Sequence, residues 1–147
     1  MKCPYCRAES TDVFNSRPTK FGNQIWRRRR CLSCRESFTT YETADLGFIT
    51  ICKASGKPQP YSRATLFASV FEAFLLTPQK QIEVDAVTDT VEAKLLDLQQ
   101  PTITSSEVAE VVLQTLKHYN TSAFIRYLSN QTDLVNEAQL RKELKKY

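Results

Sequence analysis

Apolar residues follow two different patterns along the chain, and the change comes near residue 45. Before it, few aliphatic residues stand among many polar turn formers. Beyond it, Phe48, Ile49, Ile51 and Cys52 are strand-like and lead into the letters ASGK, which hold a turn glycine. This stretch predicts a short β-hairpin at the start of a more regular second domain.

Apolar residues at helical spacing then predict four helices. Ser62 is the expected N-cap of the first, and Pro78 is expected to end it. The letters TSSE at 104–107 form a capping box before the third helix, and Asn120 or Thr121 can cap the fourth. The side chains expected to face the core are Phe67, Val70, Phe71 and Phe74, then Val84, Val87, Val91, Leu95 and Leu98, then Val108, Val111, Val112 and Leu116, and finally Phe124, Tyr127 and Leu128.

The excess positive charge lies entirely in the first 45 residues. They contain nine Lys/Arg and five Asp/Glu, whereas the rest contains eleven of each, in a chain of 147 residues with net charge +4. This asymmetry indicates that one end meets a polyanion. No apolar run approaches the roughly 18 residues of a membrane helix, and the first residues lack the apolar segment of a secretory signal. We therefore expect a cytoplasmic protein.

Four of the five cysteines form two C-x2-C pairs, Cys3 with Cys6 and Cys31 with Cys34, and 24 residues separate the pairs. Two such turns can present four thiolates to one Zn²⁺ ion, and metal binding can supply the folding free energy that so small a module lacks. Disulfides, a thioredoxin-like redox pair and an iron–sulfur cluster are the alternatives. The missing secretion signal, the missing βαβ context and the two separate turns disfavour them in that order. Cys52 stands apart, as an expected small buried side chain.

Four consecutive arginines directly precede Cys31. A zinc ligand at Cys31 would fix their backbone, and in an extended strand they would alternate between two faces. Arginine suits phosphate because its planar guanidinium donates two parallel hydrogen bonds. A solvated charged face is the plain alternative, but the metal module and the confined charge favour nucleic acid. The residues expected to contact DNA are Arg17, Lys20, Arg27, Arg28, Arg29 and Arg30.

The motifs CPYC, SRP, RRRRCLSC, SFTTYE and ICKASGKPQPYSRATL occur in that order. Together they resemble the NrdR family, the bacterial transcriptional regulators of ribonucleotide reductase genes, densely over residues 1–66 and more loosely beyond. The resemblance implies an α+β chain. A four-cysteine zinc ribbon at 1–45 would precede a mostly α-helical ATP-cone with a short β-hairpin at 48–138, and a charged tail at 139–147 would follow.

The resemblance also implies a nucleotide site in the second domain. The family's hairpin motif reads roughly Val-x-Lys-Arg-x-Gly, which Ile51, Lys53 and Gly56 match, with Ala54 where the arginine usually stands. Arg126 matches a cation of a later motif. Lys53 is the best phosphate candidate, since a lysine can act as a point charge on a triphosphate; without the resemblance it is an exposed hairpin lysine.

The function implied by the resemblance is repression rather than catalysis. ATP or dATP would bind the ATP-cone and set the state of a homo-oligomer, which presents several zinc ribbons to operator boxes upstream of reductase genes. One zinc ion per chain and the regulatory nucleotide are the expected ligands. The alternative is a general zinc-ribbon transcription-associated protein with a helical interaction domain and a weakened nucleotide site. An enzyme is disfavoured because no catalytic constellation or glycine-rich phosphate loop is evident.

Overall fold

The computed structural model describes residues 1–19, 24–53, 56–76, 80–131, 141–142 and 144–146. Lys20, Ala54 and Pro78 lie outside these residues, as do four of the nine positions of the predicted charged tail, 139, 140, 143 and 147. The chain divides into two compact units, Met1–Asp45 and Leu46–Tyr147, and each is described by itself. No helix in the described ranges is both long enough and apolar enough to cross a membrane.

The first unit is a three-stranded antiparallel sheet. Its strands pair in chain order and are β1 (Thr11–Pro18), β2 (Gln24–Cys31) and β3 (Ser37–Thr43). The central strand β2 is the one that carries the four arginines, so the run is extended as the sequence predicts. β1 has an irregularity between Val13 and Asn15, which shifts its register against β2 and leaves Phe14 unpaired.

This sheet has very little hydrophobic core. Side chains along β1 are exposed almost throughout, and Phe14 is 54% exposed. The buried apolar cluster of the unit consists of Cys3, Cys31 and Phe38. Ordering each backbone residue costs about 1–2 kcal/mol of conformational entropy, which three buried side chains cannot offset over a segment of this length. The unit therefore needs a further source of stability.

The second unit combines a small sheet with four helices. It opens with a 3₁₀ turn at Leu46–Phe48. The elements that follow are β4 (Thr50–Cys52), β5 (Gln59–Pro60), α1 (Arg63–Ala73), α2 (Lys80–Asp97), β6 (Thr102–Thr104), α3 (Ser105–Tyr119) and α4 (Thr121–Gln131).

The predicted hairpin is present as β4 and β5, which pair antiparallel. It is shorter than expected because Phe48 belongs to the 3₁₀ turn and is exposed, while Ile49 just after it is buried. A third strand joins this sheet: β6 pairs parallel with β4, with Ile51 opposite Ile103. Three residues are too few to show an alternating pattern, so the sequence gives no sign of β6.

Most of the predicted inward positions of the helices form the core, which is a single cluster. Two details differ. Helix α2 ends at Asp97, so Leu98 falls beyond it and is exposed. In α1, Leu66 is buried although the apolar spacing does not predict it, whereas Phe67 and Phe71 are only partly buried and stack their rings 6.2 Å apart beside the core.

The helix starts follow the predicted caps. The Ser62 side chain accepts a hydrogen bond from the Thr65 amide at the start of α1. At α3, Thr104 and Glu107 form a complete capping box. The amide of Thr104 donates to the Glu107 carboxylate and lowers its pKa, so this carboxylate stabilises the helix start above its ordinary pKa and loses that contribution as the pH falls.

A partly buried ionic cluster ties the start of α1 to α2. The carboxylate of Glu92, itself only 7% exposed, accepts hydrogen bonds from the Tyr61 hydroxyl at 2.9 Å and from the Arg63 guanidinium. Arg63 also donates to Asp89 at 2.7 Å. Burial by itself lowers the pKa of Arg63, but the hydrogen bond to Asp89 and the charge of Glu92 outweigh it and raise that pKa. Burial, together with the nearby carboxylate of Glu92, raises the pKa of Tyr61.

We predict that Glu92→Gln lowers the free energy of unfolding of the helical unit by about 1–3 kcal/mol, because a buried hydrogen-bonded charge is lost while Arg63 stays in place. Chemical denaturation followed by helical circular dichroism measures it. Glu110→Gln, at an exposed position of α3, is the matched control and should change stability by less than about 0.5 kcal/mol. Equal effects of the two substitutions would contradict the assigned role of the cluster.

Candidate functional site: a metal centre, a basic sheet face and a cleft

The first cysteine pair lies in a tight turn stabilised by two backbone hydrogen bonds. The amide of Cys3 donates to the carbonyl of Ala8 at 2.8 Å, and the amide of Arg7 donates back to the carbonyl of Cys3 at 2.9 Å. These bonds fold the chain around Cys3 and Cys6, so that both thiols point to the same side of the turn.

The second pair repeats this arrangement. The amide of Cys31 donates to the carbonyl of Glu36 at 2.9 Å, and the amide of Arg35 donates to the carbonyl of Cys31 at 3.0 Å. Arg7 and Arg35 occupy the same position in the two turns and both have left-handed backbones, with φ of 63° and 64°. A non-glycine residue there costs about 1–2 kcal/mol, so the two turns are matched in strain as well as in hydrogen bonding.

The four sulfurs of Cys3, Cys6, Cys31 and Cys34 lie within 4.8 Å of one another. The Cys3–Cys34 sulfur pair is 3.7 Å apart and the Cys6–Cys31 pair 3.6 Å. A tetrahedron with metal–sulfur bonds of about 2.3 Å has sulfur–sulfur edges of about 3.8 Å. The spacing of the sulfurs therefore fits one Zn²⁺ ion.

The electrostatics of the thiols also favour a cation between them. The backbone amide of Cys34, followed by that of Ser33, lowers the pKa of Cys31 to about 6. At Cys34 the amide of Glu36 lowers the pKa, but burial and the neighbouring sulfurs outweigh it and raise the value to about 12. Adjacent thiolates repel each other, and a divalent ion removes that repulsion. The donor set therefore fits zinc chemically as well as geometrically.

The two faces of the sheet differ strongly. Trp26, Arg28 and Arg30 lie on one face, which we call the aromatic face, since each residue of β2 alternates with the next. Arg17 places its guanidinium 4.5 Å from the centre of the Trp26 ring, and Arg30 stacks 5.1 Å from the Phe14 ring. Cation–π contacts of this kind hold an arginine in place while its donors stay available.

Arg28 completes the aromatic face. Its guanidinium donates to the hydroxyl of Thr39 at 2.9 Å, across from it on β3. None of the three arginines on this face makes an ion pair with a carboxylate among the described residues, although Asp12 stands opposite Arg30. The face therefore presents three ordered cations.

The opposite face, which we call the packed face, carries Arg27, Arg29 and Cys31. Arg27 forms a 2.6 Å ion pair with Glu42, and its buried Nε has no partner among the described residues. Arg29 donates to the hydroxyl of Thr40 at 3.1 Å. The packed face therefore differs from the aromatic face in that the charge of one of its arginines, Arg27, is met by a carboxylate within the sheet.

A separate cleft of about 200 Å³ lies in the second unit. The hairpin supplies Ile51 and Lys53, the start of α1 supplies Ser62 and Thr65, and the start of α3 supplies further residues. Its full lining is Ile51, Lys53, Gln59, Pro60, Tyr61, Ser62, Thr65, Leu66, Ser69, Ser105 and Val108.

The parallel pairing of β6 with β4 explains why two helix starts meet at this cleft. Thr104 is both the last residue of β6 and the N-cap of α3, so the pairing places the first turn of α3 beside the hairpin. Helix N-termini carry partial positive charge. In α3 this charge is met by Glu107, whereas the first turn of α1 has no acidic residue. The α1 end is thus the electropositive one, and Lys53 lies on the same cleft.

The four residues predicted for nucleotide binding are not brought together. Ile51 and Lys53 line the cleft, but Gly56 and Arg126 do not. A methyl group on Gly56 would meet the Lys53 side chain at an ordinary contact distance of 3.6 Å, so close packing does not require glycine. Arg126 donates to the carbonyl of Ala73 at 3.1 Å. That carbonyl belongs to the last residue of α1, four residues beyond Ser69, where the cleft lining on this helix ends.

Comparison with known proteins matches both units. Residues 1–42 match the model described as the transcriptional repressor NrdR-like N-terminal domain, and residues 49–134 match the ATP cone domain. A protein of Cupriavidus metallidurans named "Transcriptional repressor NrdR" is 36% identical over 147 residues, which is all of this chain and 95% of that protein. The chain belongs to the NrdR family.

Other family members agree. Proteins with the same name from Acidovorax sp. and Lachnoclostridium phytofermentans are 37% and 32% identical, over 88% and 99% of this chain and 87% and 95% of their own lengths. The NrdR assignment supports a regulator rather than an enzyme at the level of the family. Together with the four close cysteines, it also indicates that the metal of the first unit is zinc.

Several residues of these sites escape sequence reasoning. Tyr61, Ser62 and Ser105 line the cleft, yet the sequence patterns mark the two serines only as parts of helix caps and assign Tyr61 no role. Phe14 stands in β1 without any motif, and its contact with Arg30 depends on strand register. The signal that could have found Arg7 and Arg35 is their shared place directly after the two C-x2-C pairs.

We predict that Cys6→Ser lowers zinc content and disorders the NrdR ribbon, because three thiolates cannot complete the tetrahedral site. The helical unit has its own core, so its circular dichroism should change little. Zinc is measured by elemental analysis of the full chain. Cys52→Ser, a thiol on β4 outside the sulfur cluster, is the matched control and should keep full zinc content. Full zinc retention by Cys6→Ser would contradict the assignment.

Proposed function

We propose that this chain represses ribonucleotide reductase genes. A zinc ribbon at 1–45 would bind operator DNA, and an ATP-cone at 48–138 would sense ATP and dATP. The single observation that supports the DNA-binding part best is the aromatic face, where Arg17 of β1 and Arg28 and Arg30 of β2 are ordered beside the cysteine that ends β2. Ordered arginines lose less side-chain entropy on binding phosphate than free ones. The names of the relatives and the two domain matches point the same way.

The aromatic face suits a phosphate backbone better than the packed face. Arg17, Arg28 and Arg30 each keep guanidinium donors for a bidentate contact. On the packed face, Arg27 would have to exchange its ion pair with Glu42 for phosphate, so its contribution to affinity would be smaller. We therefore assign DNA contact to the aromatic face, with Arg27 and Arg29 acting mainly in sheet structure and long-range attraction.

The cleft of the second unit suits part of an adenine nucleotide. Lys53 and the first turn of α1 would receive phosphate groups, because both are electropositive and no acidic residue lines the cleft. Ile51, Leu66 and Val108 provide apolar surface for the base or sugar. The cleft is smaller than the roughly 300–1,000 Å³ of most ligand sites, so part of the ligand would extend beyond it.

Nucleotide binding would act on DNA through a homo-oligomer in the bacterial cytoplasm. One ribbon offers few phosphate contacts, whereas linking several ribbons raises apparent affinity by effective concentration. A nucleotide that favours one oligomer over another would thereby set operator occupancy. The alternative, a general zinc-ribbon transcription-associated protein with a vestigial nucleotide site, predicts that size and DNA affinity are indifferent to nucleotides.

We predict that Arg28→Gln combined with Arg30→Gln weakens binding to a reductase-promoter duplex at least tenfold, since about two phosphate contacts are lost. Fluorescence anisotropy of the zinc-loaded full chain measures the affinity. Arg29→Gln, on the same strand but the other face, is the matched control and should lose clearly less. Greater loss from Arg29→Gln would contradict the choice of face.

We predict that Lys53→Ala weakens dATP binding roughly tenfold in calorimetry, because a cation beside the phosphates is removed. Lys57→Ala, an exposed lysine of the same hairpin outside the cleft, is the control and should bind dATP as the parent does. Light scattering of the same samples should show that Lys53→Ala needs more dATP to change oligomer size. Identical dATP affinity in the two variants would remove Lys53 from the site.

A further inference from the structure

We propose that Arg7 and Arg35 are a second pair of DNA phosphate contacts, which extends the aromatic face to the metal end of the ribbon. This rests on the proposed DNA binding and adds residues to that same surface. The two arginines occupy equivalent positions of the two cysteine turns, so they flank the metal centre on both sides.

The backbone at Arg7 and Arg35 is strained in the same way. Both residues are left-handed, with φ of 63° and 64°, where glycine is the residue without a steric penalty. Nothing in the turn itself calls for a long side chain, because the hydrogen bonds that close each turn use only backbone atoms. Strain held at two equivalent positions is typical of residues whose side chains have a function.

The guanidinium groups of Arg7 and Arg35 are accessible to a ligand. Both arginines are exposed, and neither makes an ion pair within the described ranges. The neighbouring Glu9 pairs with Lys2 instead, at 3.5 Å. Two free guanidinium groups are thus presented on the turns that the metal holds rigid.

The two cysteine turns lie at the end of the sheet where the aromatic face ends. Arg30 pairs across the sheet with Ser37, and Arg35 lies only two residues before Ser37. The other turn reaches the same end, since the amide of Leu32 donates to the carbonyl of Ser10 at 3.1 Å, three residues after Arg7. A duplex lying along the aromatic face would meet these turns next, and its phosphates repeat every 3.4 Å of axis per strand.

A competing role for the two arginines is to neutralise the negative charge of the metal centre. A zinc ion with four thiolates carries a net charge of −2, and two adjacent arginines would offset it. In that case their removal would weaken zinc retention first, and any loss of DNA binding would follow from loss of the fold. The two roles therefore differ in what changes at saturating zinc.

The test uses the Arg7→Gly, Arg35→Gly double variant of the full chain. It is compared with the parent and with two other double variants, one with Arg7→Lys and Arg35→Lys and one with Arg28→Gln and Arg30→Gln. Glycine removes charge and strain together, so zinc retention against a chelator should be unchanged or higher. Loss of two phosphate contacts reduces the slope of log affinity against log salt by about 1.8. Between about 50 and 200 mM salt, the glycine variant should then lose about twelvefold less affinity than the parent. The lysine variant should keep the parental slope.

Each other outcome overturns the inference. A parental salt slope in the glycine variant, with a reduced slope in Arg28→Gln, Arg30→Gln, would remove Arg7 and Arg35 from the interface and leave the proposed DNA binding intact. Reduced zinc retention in the glycine variant would assign the pair to the charge of the metal centre. A parent that does not bind any promoter duplex would contradict the proposed function itself.

Discussion

The first unit depends on one constraint, the convergence of four cysteine sulfurs to within 4.8 Å of one another, a spacing that fits a single zinc ion. Its sheet buries only three apolar side chains, and β1 is exposed along nearly its whole length. Structural zinc in small modules contributes an apparent folding free energy of about 10–16 kcal/mol. A sheet with so small an apolar core needs a contribution of that order to fold. Because Cys31 ends β2, a zinc ion bound there would also fix the position of the four arginines before it. Two of them would be held on the aromatic face and two on the packed face.

The second unit depends on a different constraint, the parallel pairing of two short strands. β4 and β6 are far apart in sequence, and their pairing places the first turns of α1 and α3 at one cleft. The buried contacts of Glu92 with Tyr61 and Arg63 then hold the start of α1 against α2. The cleft and the helix packing therefore share a residue, since Tyr61 lines the cleft and donates to Glu92.

Local chemistry could be predicted from the sequence, and non-local pairing could not. The C-x2-C spacing indicates the metal centre because the four ligands lie in two short turns, and Ser62 and the TSSE box mark helix starts through contacts within three residues. β6 could not be predicted because three residues are too few to show the alternation of apolar and polar positions that is typical of a strand. Arg126 is matched to a family motif by its position in the sequence alone, and its guanidinium contacts Ala73 at the end of α1, outside the residues that line the cleft. The aromatic face could not be predicted because it depends on the register between β1 and β2. That register places Arg17 over Trp26 and Arg30 over Phe14.

The most direct test of this account is arginine-specific footprinting of the zinc-loaded full chain, with and without promoter duplex. Phenylglyoxal modifies free guanidinium groups, and mass spectrometry locates the modified residues. The account predicts that duplex protects Arg17, Arg28 and Arg30, while the reactivity of Arg27 changes little because Glu42 already holds it. Protection of Arg27 with Arg28 and Arg30 left reactive would contradict it.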